Sequence, residues 1–229
     1  MDTTAIRDKA LRKAGRKSPA MKRGLRKMVL TAHIVSSVGW LGAVAGFLAL
    51  AMTGLNGKDA QMVHAAYISM ALIARFAIVP LAFASLLSGI IQALGTPWGL
   101  FRHYWVSMKL LLTLFATVVL LLKTPLIAYA ARQAAAVASS NGGLHAAGKE
   151  LLVHSAGGLL VLVVVTILSV YKPWGLTRYG RRKLREQGVE LAEESPVDRS
   201  RWVYGFGILA LVFLFVLRHL LGSHFGHMH

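Results

Sequence analysis

Residues 28–53, MVLTAHIVSSVGWLGAVAGFLALAMT, form an apolar run that holds one imidazole, His33, about one and a half turns from its basic end. About 20 apolar residues suffice to cross a bilayer as a helix, and backbone placed in hydrocarbon must satisfy its own hydrogen bonds. The run therefore dictates a transmembrane helix. Comparable runs recur at 70–94, 104–128, 151–171 and 202–221. The expected fold is all-α, a polytopic membrane helix bundle with five transmembrane helices. Hydrophobic residues make up 55% of the 229, above the roughly 45–50% of soluble domains.

The formal charge of +17 admits three explanations: nucleic acid, anionic lipid, or the positive-inside signal of a membrane chain. Its distribution separates them. Ten of the 26 Lys and Arg precede residue 28, and eight lie in 172–201. Two blocks flanking apolar runs, with no basic module interleaved with aromatics, point to topology and anionic lipids at the cytoplasmic face rather than to nucleic acid. The rule then places the N-terminus in the cytoplasm and, after five spans, the C-terminus outside. The domains read as a basic cytoplasmic tail (1–27), the bundle (28–221) with a cytoplasmic loop at 172–201, and a His-rich external tail (222–229).

Cysteine is absent, which removes disulfides, thiolate metal sites and covalent c-type haem attachment. Residues 1–27 have no short apolar core or cleavage site, so the first span is expected to serve as an uncleaved anchor. In span two Pro80 is expected to kink the helix. The stretch QAAAVASSNGG at 133–143 reads as a flexible loop. Trp98, Trp105, Trp174 and Trp202 suit an interfacial belt. Trp40, in mid-span, suits the core or a ligand wall. Gly42 and Gly46, with the small residues at 155–158, suit helix packing.

At about 1.5 Å of rise per residue, His33 lies roughly 6–8 Å below the cytoplasmic boundary, level with Lys109 and just beneath His103. These three define an inner site. His154 and His219 lie roughly 25 Å from that boundary, at a level where Arg75, Lys123 and Arg218 can gather. They define an outer site, some 18 Å from the inner one on the same rise. No carboxylate falls inside a span, Glu150 standing only at the entrance to span four. That disfavours coupled transport and hard-cation sites. Imidazoles with nearby cations suit haem, His ligating iron and Lys or Arg meeting propionates. Each lone histidine can equally be a hydrogen-bonding residue between helices. The terminal His224, His227 and His229 could take up copper, nickel or zinc outside.

Three stretches carry a resemblance: HIVSSVGWLGAVAGFLALA at 33–51, GTPWGLFRHYWVSMKLLLTLFAT at 95–117 and LSVYKPWGLTRYGRRK at 168–183. Over about residues 28–183 the chain resembles a family of bacterial integral-membrane proteins of unknown function. That resemblance implies a bacterial plasma (inner) membrane location. The histidine followed by Gly-Trp-Leu-Gly in the first span is distantly similar to copper-resistance membrane proteins. Two sites at opposite depths resemble the layout of di-haem membrane cytochromes b.

The leading expectation is a membrane oxidoreductase binding haem b and transferring electrons, with quinone as a candidate partner. His33 with His103, and His154 with His219, are the axial candidates, and Lys109, Arg75, Lys123 and Arg218 the propionate partners. Copper handling by the outer histidines is the alternative. A non-catalytic scaffold binding a partner subunit or a second copy is the third reading. Phosphate-loop, dinucleotide, HExxH and serine-elbow motifs are absent.

Overall fold

The computed structural model describes residues 22–95, 103–136, 141–171 and 177–186. Four helices in it are long and apolar enough to cross a membrane. They are α1 (Arg23–Asn56), α2 (Ala60–Leu94), α3 (Tyr104–Ala135) and α4 (Asn141–Tyr171). A short helix, α5 (Arg178–Glu186), lies in the basic segment and carries an exposed Arg182–Glu186 pair at 3.1 Å. Among the described residues there is no strand. The fifth apolar run, 202–221, and the tail with His224, His227 and His229 lie outside the described residues, as do residues 1–21.

The helices outrun the apolar stretches that predict them. With 34 residues, α1 is about 51 Å long, against roughly 30 Å of hydrocarbon. It begins at Arg23 and so absorbs the end of the basic tail, including Arg26 and Lys27. Span two, expected from residue 70, starts at Ala60. The chain turns between α1 and α2 in three residues. Gly57 closes α1 by donating its N–H to the Thr53 carbonyl at 2.8 Å, and the Asp59 carboxylate opens α2 by accepting from the Gln61 N–H at 3.0 Å. A Cβ on Gly57 would stand 2.6 Å from that Thr53 oxygen and 2.8 Å from Val63 Cγ2. Only glycine fits this turn.

One expectation about local structure is corrected, that of the 133–143 loop, while at Pro80 the helix α2 continues. The proline has no N–H for the Phe76 carbonyl and its ring crowds that oxygen, and the helix takes this up as a π-helical turn over Ala74–Ile78. The loop expected at 133–143 is shorter than that, because α3 runs to Ala135 and α4 starts at Asn141. Alanine, the best helix former, outweighs the low-complexity signal at its near end.

One stripe of each helix is buried. In α1 it is Ser36, Trp40, Val44, Phe47, Ala51 and Gly54, spaced by three and four residues, which is one face of a 3.6-residue period. This stripe packs against α2 and α4, while α3 closes the bundle between α2 and α4. Ala51, Ala74, Ala82, Ala130, Ala134 and Ala147 line the contacts, and their size lets the helix backbones approach. Large side chains such as Phe76, 71% exposed, and Val170 point outward. Such all-round apolarity is what a bilayer solvates.

Among the described residues, the glycines that pack are not the expected ones. Nothing among the described residues lies within 4 Å of a Cβ built on Gly42, Gly46, Gly157 or Gly158. The close approaches occur elsewhere. The Tyr67 ring is clamped between Gly54 and Gly148, and Leu81 packs on Gly39.

Candidate functional site

Two polar clusters interrupt the apolar interior, one toward each end of the bundle. Toward the end where α1 begins, the His33 Nδ1 lies 3.1 Å from the Ser85 carbonyl and 3.1 Å from Ser88 Oγ, both on α2. A carbonyl can only accept, so Nδ1 carries the proton and the neutral ring keeps its lone pair on Nε2. Ser88 Oγ donates in turn to the Ala84 carbonyl at 2.5 Å, and Ser37 Oγ and Ser85 Oγ meet at 2.8 Å. The ring rests on Gly89, where an added Cβ would come within 3.2 Å of Cε1. Lys109, half-buried on α3, stands within electrostatic reach of His33. Two of the three inner-site residues thus come together. His103 caps the start of α3, its ring 6.4 Å from that of Trp105.

Toward the other end, Lys123 of α3 and Glu150 of α4 form an ion pair at 2.6 Å. One turn further along α4, the His154 Nδ1 donates to the Glu150 carbonyl at 2.7 Å. Again the acceptor fixes the tautomer: Nδ1 is the donor and Nε2, which is buried, holds the lone pair. Arg75 does not join them. It lies on an exposed face of α2, its guanidinium 5.7 Å from the Phe76 ring. His219 and Arg218, the remaining outer candidates, lie outside the described residues.

A cavity of about 80 Å³ adjoins this second cluster. Its walls are mostly apolar, with Trp40 and Phe47 on one side and Lys123, His154, Ser155 and Gly158 on the other. Trp40 is 3% exposed, so it is both a core residue and a wall of the cavity. An apolar recess with a few convergent polar groups at one end is the usual form of a small-molecule site.

Glu150, Ser85 and Ser88 were not singled out in the sequence. The signal for Glu150 was available: it precedes His154 by four residues, the spacing that puts two side chains on one helix face. The site therefore contains a carboxylate, and Lys123 is engaged by it rather than standing alone.

This cavity by itself is too small for a haem: pockets for drug-sized ligands run to roughly 300–1,000 Å³, against about 80 Å³ here. The two histidines do have the tautomer of an axial ligand, with Nδ1–H tied to a backbone carbonyl. For smaller metals, no group of three or more His, Cys, Asp or Glu gathers among the described residues. No family model, curated protein or solved structure matches the chain.

Proposed function

We propose that the chain is a multi-pass protein of the bacterial inner membrane, N-terminus in the cytoplasm, that binds a small, largely apolar molecule carrying a hydroxyl group. The observation that carries this reading is the cavity itself, an apolar recess whose wall holds Lys123, His154 and Ser155. Such a lining suits a guest that is apolar over most of its surface and carries one polar group, such as an alcohol, a phenol or a quinol. Ser155 and the Lys123–Glu150 pair add polar groups at the same end. The ten Lys and Arg before residue 28 support the orientation.

The volume limits how the guest sits. An apolar cavity of roughly 150 Å³ accepts benzene, and this one is about 80 Å³. A quinol would insert its hydroxyl-bearing edge and leave its chain along the lipid-facing side. An ion pair inside an apolar bundle is costly, which argues that Lys123 and Glu150 are kept for this site and not for stability.

Purification in mild detergent, solvent extraction and mass spectrometry of the extract test the proposal. A hydroxyl-bearing lipophile enriched over bulk lipid, and lost in His154→Leu, is the expected result. An extract identical to bulk lipid contradicts it. Haem b is a second reading, favoured by the tautomers of His33 and His154 and opposed by the cavity volume. A Soret band in the same sample would displace the first reading in its favour.

A further inference from the structure

At the basic end of the bundle we propose a binding site for a phosphate group, carried by an anionic lipid, where Lys109 of α3 lies near His33 of α1, itself hydrogen-bonded to Ser85 and Ser88 of α2. The proposal does not depend on the cavity or its guest.

Charge supports it first. Within the unit Met1–Gly180 the described carboxylates are Asp59 and Glu150, and both belong to the opposite end of the bundle. Asp59 lies beyond the far end of α1, about 39 Å from the level of His33 at 1.5 Å per residue. Lys109 therefore has no ion-pair partner among the described residues. By contrast Lys123, a half-buried lysine further along the same helix, is matched by Glu150 at 2.6 Å. A half-buried ammonium without a counter-ion is costly in an apolar bundle, and an anion supplied from outside removes that cost.

Geometry supports it second. Lys109 lies six residues past His103, about 9 Å along α3, so its stem can bring the ammonium up to headgroup level. His33 is held in place by its bonds to the Ser85 carbonyl and Ser88 Oγ and by the floor that Gly89 provides. The Lys109 ammonium is the donor to the phosphate, since the His33 Nδ1–H and the Ser88 hydroxyl are already given to the Ser85 and Ala84 carbonyls. On protonation the ring adds a donor at Nε2, and a phosphate between the two cations relieves their repulsion. Lys22, Arg23, Arg26 and Lys27 at the start of α1 raise the local concentration of anionic lipid, each cation being worth about 1 kcal/mol at a charged surface. They attract anionic lipid generally. His33 and Lys109 together select one headgroup.

The test uses full-length protein, delipidated in neutral detergent, with thermal unfolding followed against added phosphatidylglycerol, phosphatidylcholine or inorganic phosphate. Phosphatidylglycerol is expected to raise the melting temperature more than phosphatidylcholine. Lys109→Gln and His33→Gln should each weaken the apparent affinity about tenfold, as expected for loss of a charge-assisted hydrogen bond. Lys109→Arg should retain it, which separates lost charge from a damaged fold. Lys58→Gln, exposed in the turn at the opposite end of the bundle, should leave it unchanged. A lysine-dependent shift with inorganic phosphate alone would support the site with a soluble source of the anion. An undiminished shift in Lys109→Gln, or an equal loss in Lys58→Gln, would overturn it.

Discussion

Lys123 Nζ and Glu150 Oε1 meet at 2.6 Å, joining α3 to α4 beside the cavity. The pair is partly covered, with 16% of the lysine side chain and 31% of the glutamate exposed. Removing one partner strands the other, whereas removing both strands neither. Lys123→Met alone should cost about 1–3 kcal/mol, below the 3–5 kcal/mol of a fully buried pair. Lys123→Met/Glu150→Met should recover most of that. Unfolding of the four proteins of this cycle in detergent gives the coupling. Additive costs would mean that the pair contributes nothing to the α3–α4 contact.

Tyr67 offers a test of packing with a built-in control. Its ring lies against Gly54, whose added Cβ would approach Cζ to 3.0 Å, and its hydroxyl occupies the space over Gly148 while donating to the Leu144 carbonyl at 3.4 Å. Gly148→Ala should therefore destabilise by about 1–3 kcal/mol, the range for overpacked interiors. Tyr67→Phe removes only a long hydrogen bond and should cost less than about 1 kcal/mol. The double variant should be more stable than Gly148→Ala alone, because the atom in conflict is gone. Thermal unfolding of the three variants decides the order.

How far the sequence could be read depended on the kind of signal. Apolar length places α1 to α4, since hydrocarbon leaves a helix as the only solution for one unbroken run. Helix ends were less legible, because a helix can continue past the apolar limit, as α1 does at Arg23 and α2 at Ala60. Depth along the axis puts His33 and Lys109 on one level, and the two lie within electrostatic reach of each other. Rotation about the axis has no such ruler when a helix is apolar all round. That is why the sequence points to Gly42 and Gly46 for packing while, among the described residues, Gly54 and Gly148 make the close contacts, and why it groups Arg75, which is exposed, with Lys123. Glu150 escapes notice because apolar length ends the span beside it.

The His33 contacts predict a graded series. His33→Leu removes the bonds to Ser85 and Ser88, and interhelical hydrogen bonds in membrane bundles average about 0.6 kcal/mol. His33→Gln keeps a donor and should lie between the two. Gly89→Ala brings a methyl within 3.2 Å of the ring and should shift the His33 ¹⁵N resonances without unfolding the chain. Unchanged resonances in Gly89→Ala would show that the ring does not rest on α2.

A guest in the cavity between Trp40 and His154 can be tested through Gly158. Gly158 lines the cavity, and a Cβ built there has nothing within 4 Å among the described residues, so a leucine at this position has room to enter the space without distorting a helix contact. The measurement is mass spectrometry of the solvent extract from purified wild type and Gly158→Leu, with thermal unfolding confirming that both are folded. A hydroxyl-bearing lipophile is expected in the wild-type extract, depleted at least about tenfold in Gly158→Leu, the factor that a loss of roughly 1.4 kcal/mol gives. Equal amounts of that compound in two folded proteins would contradict it.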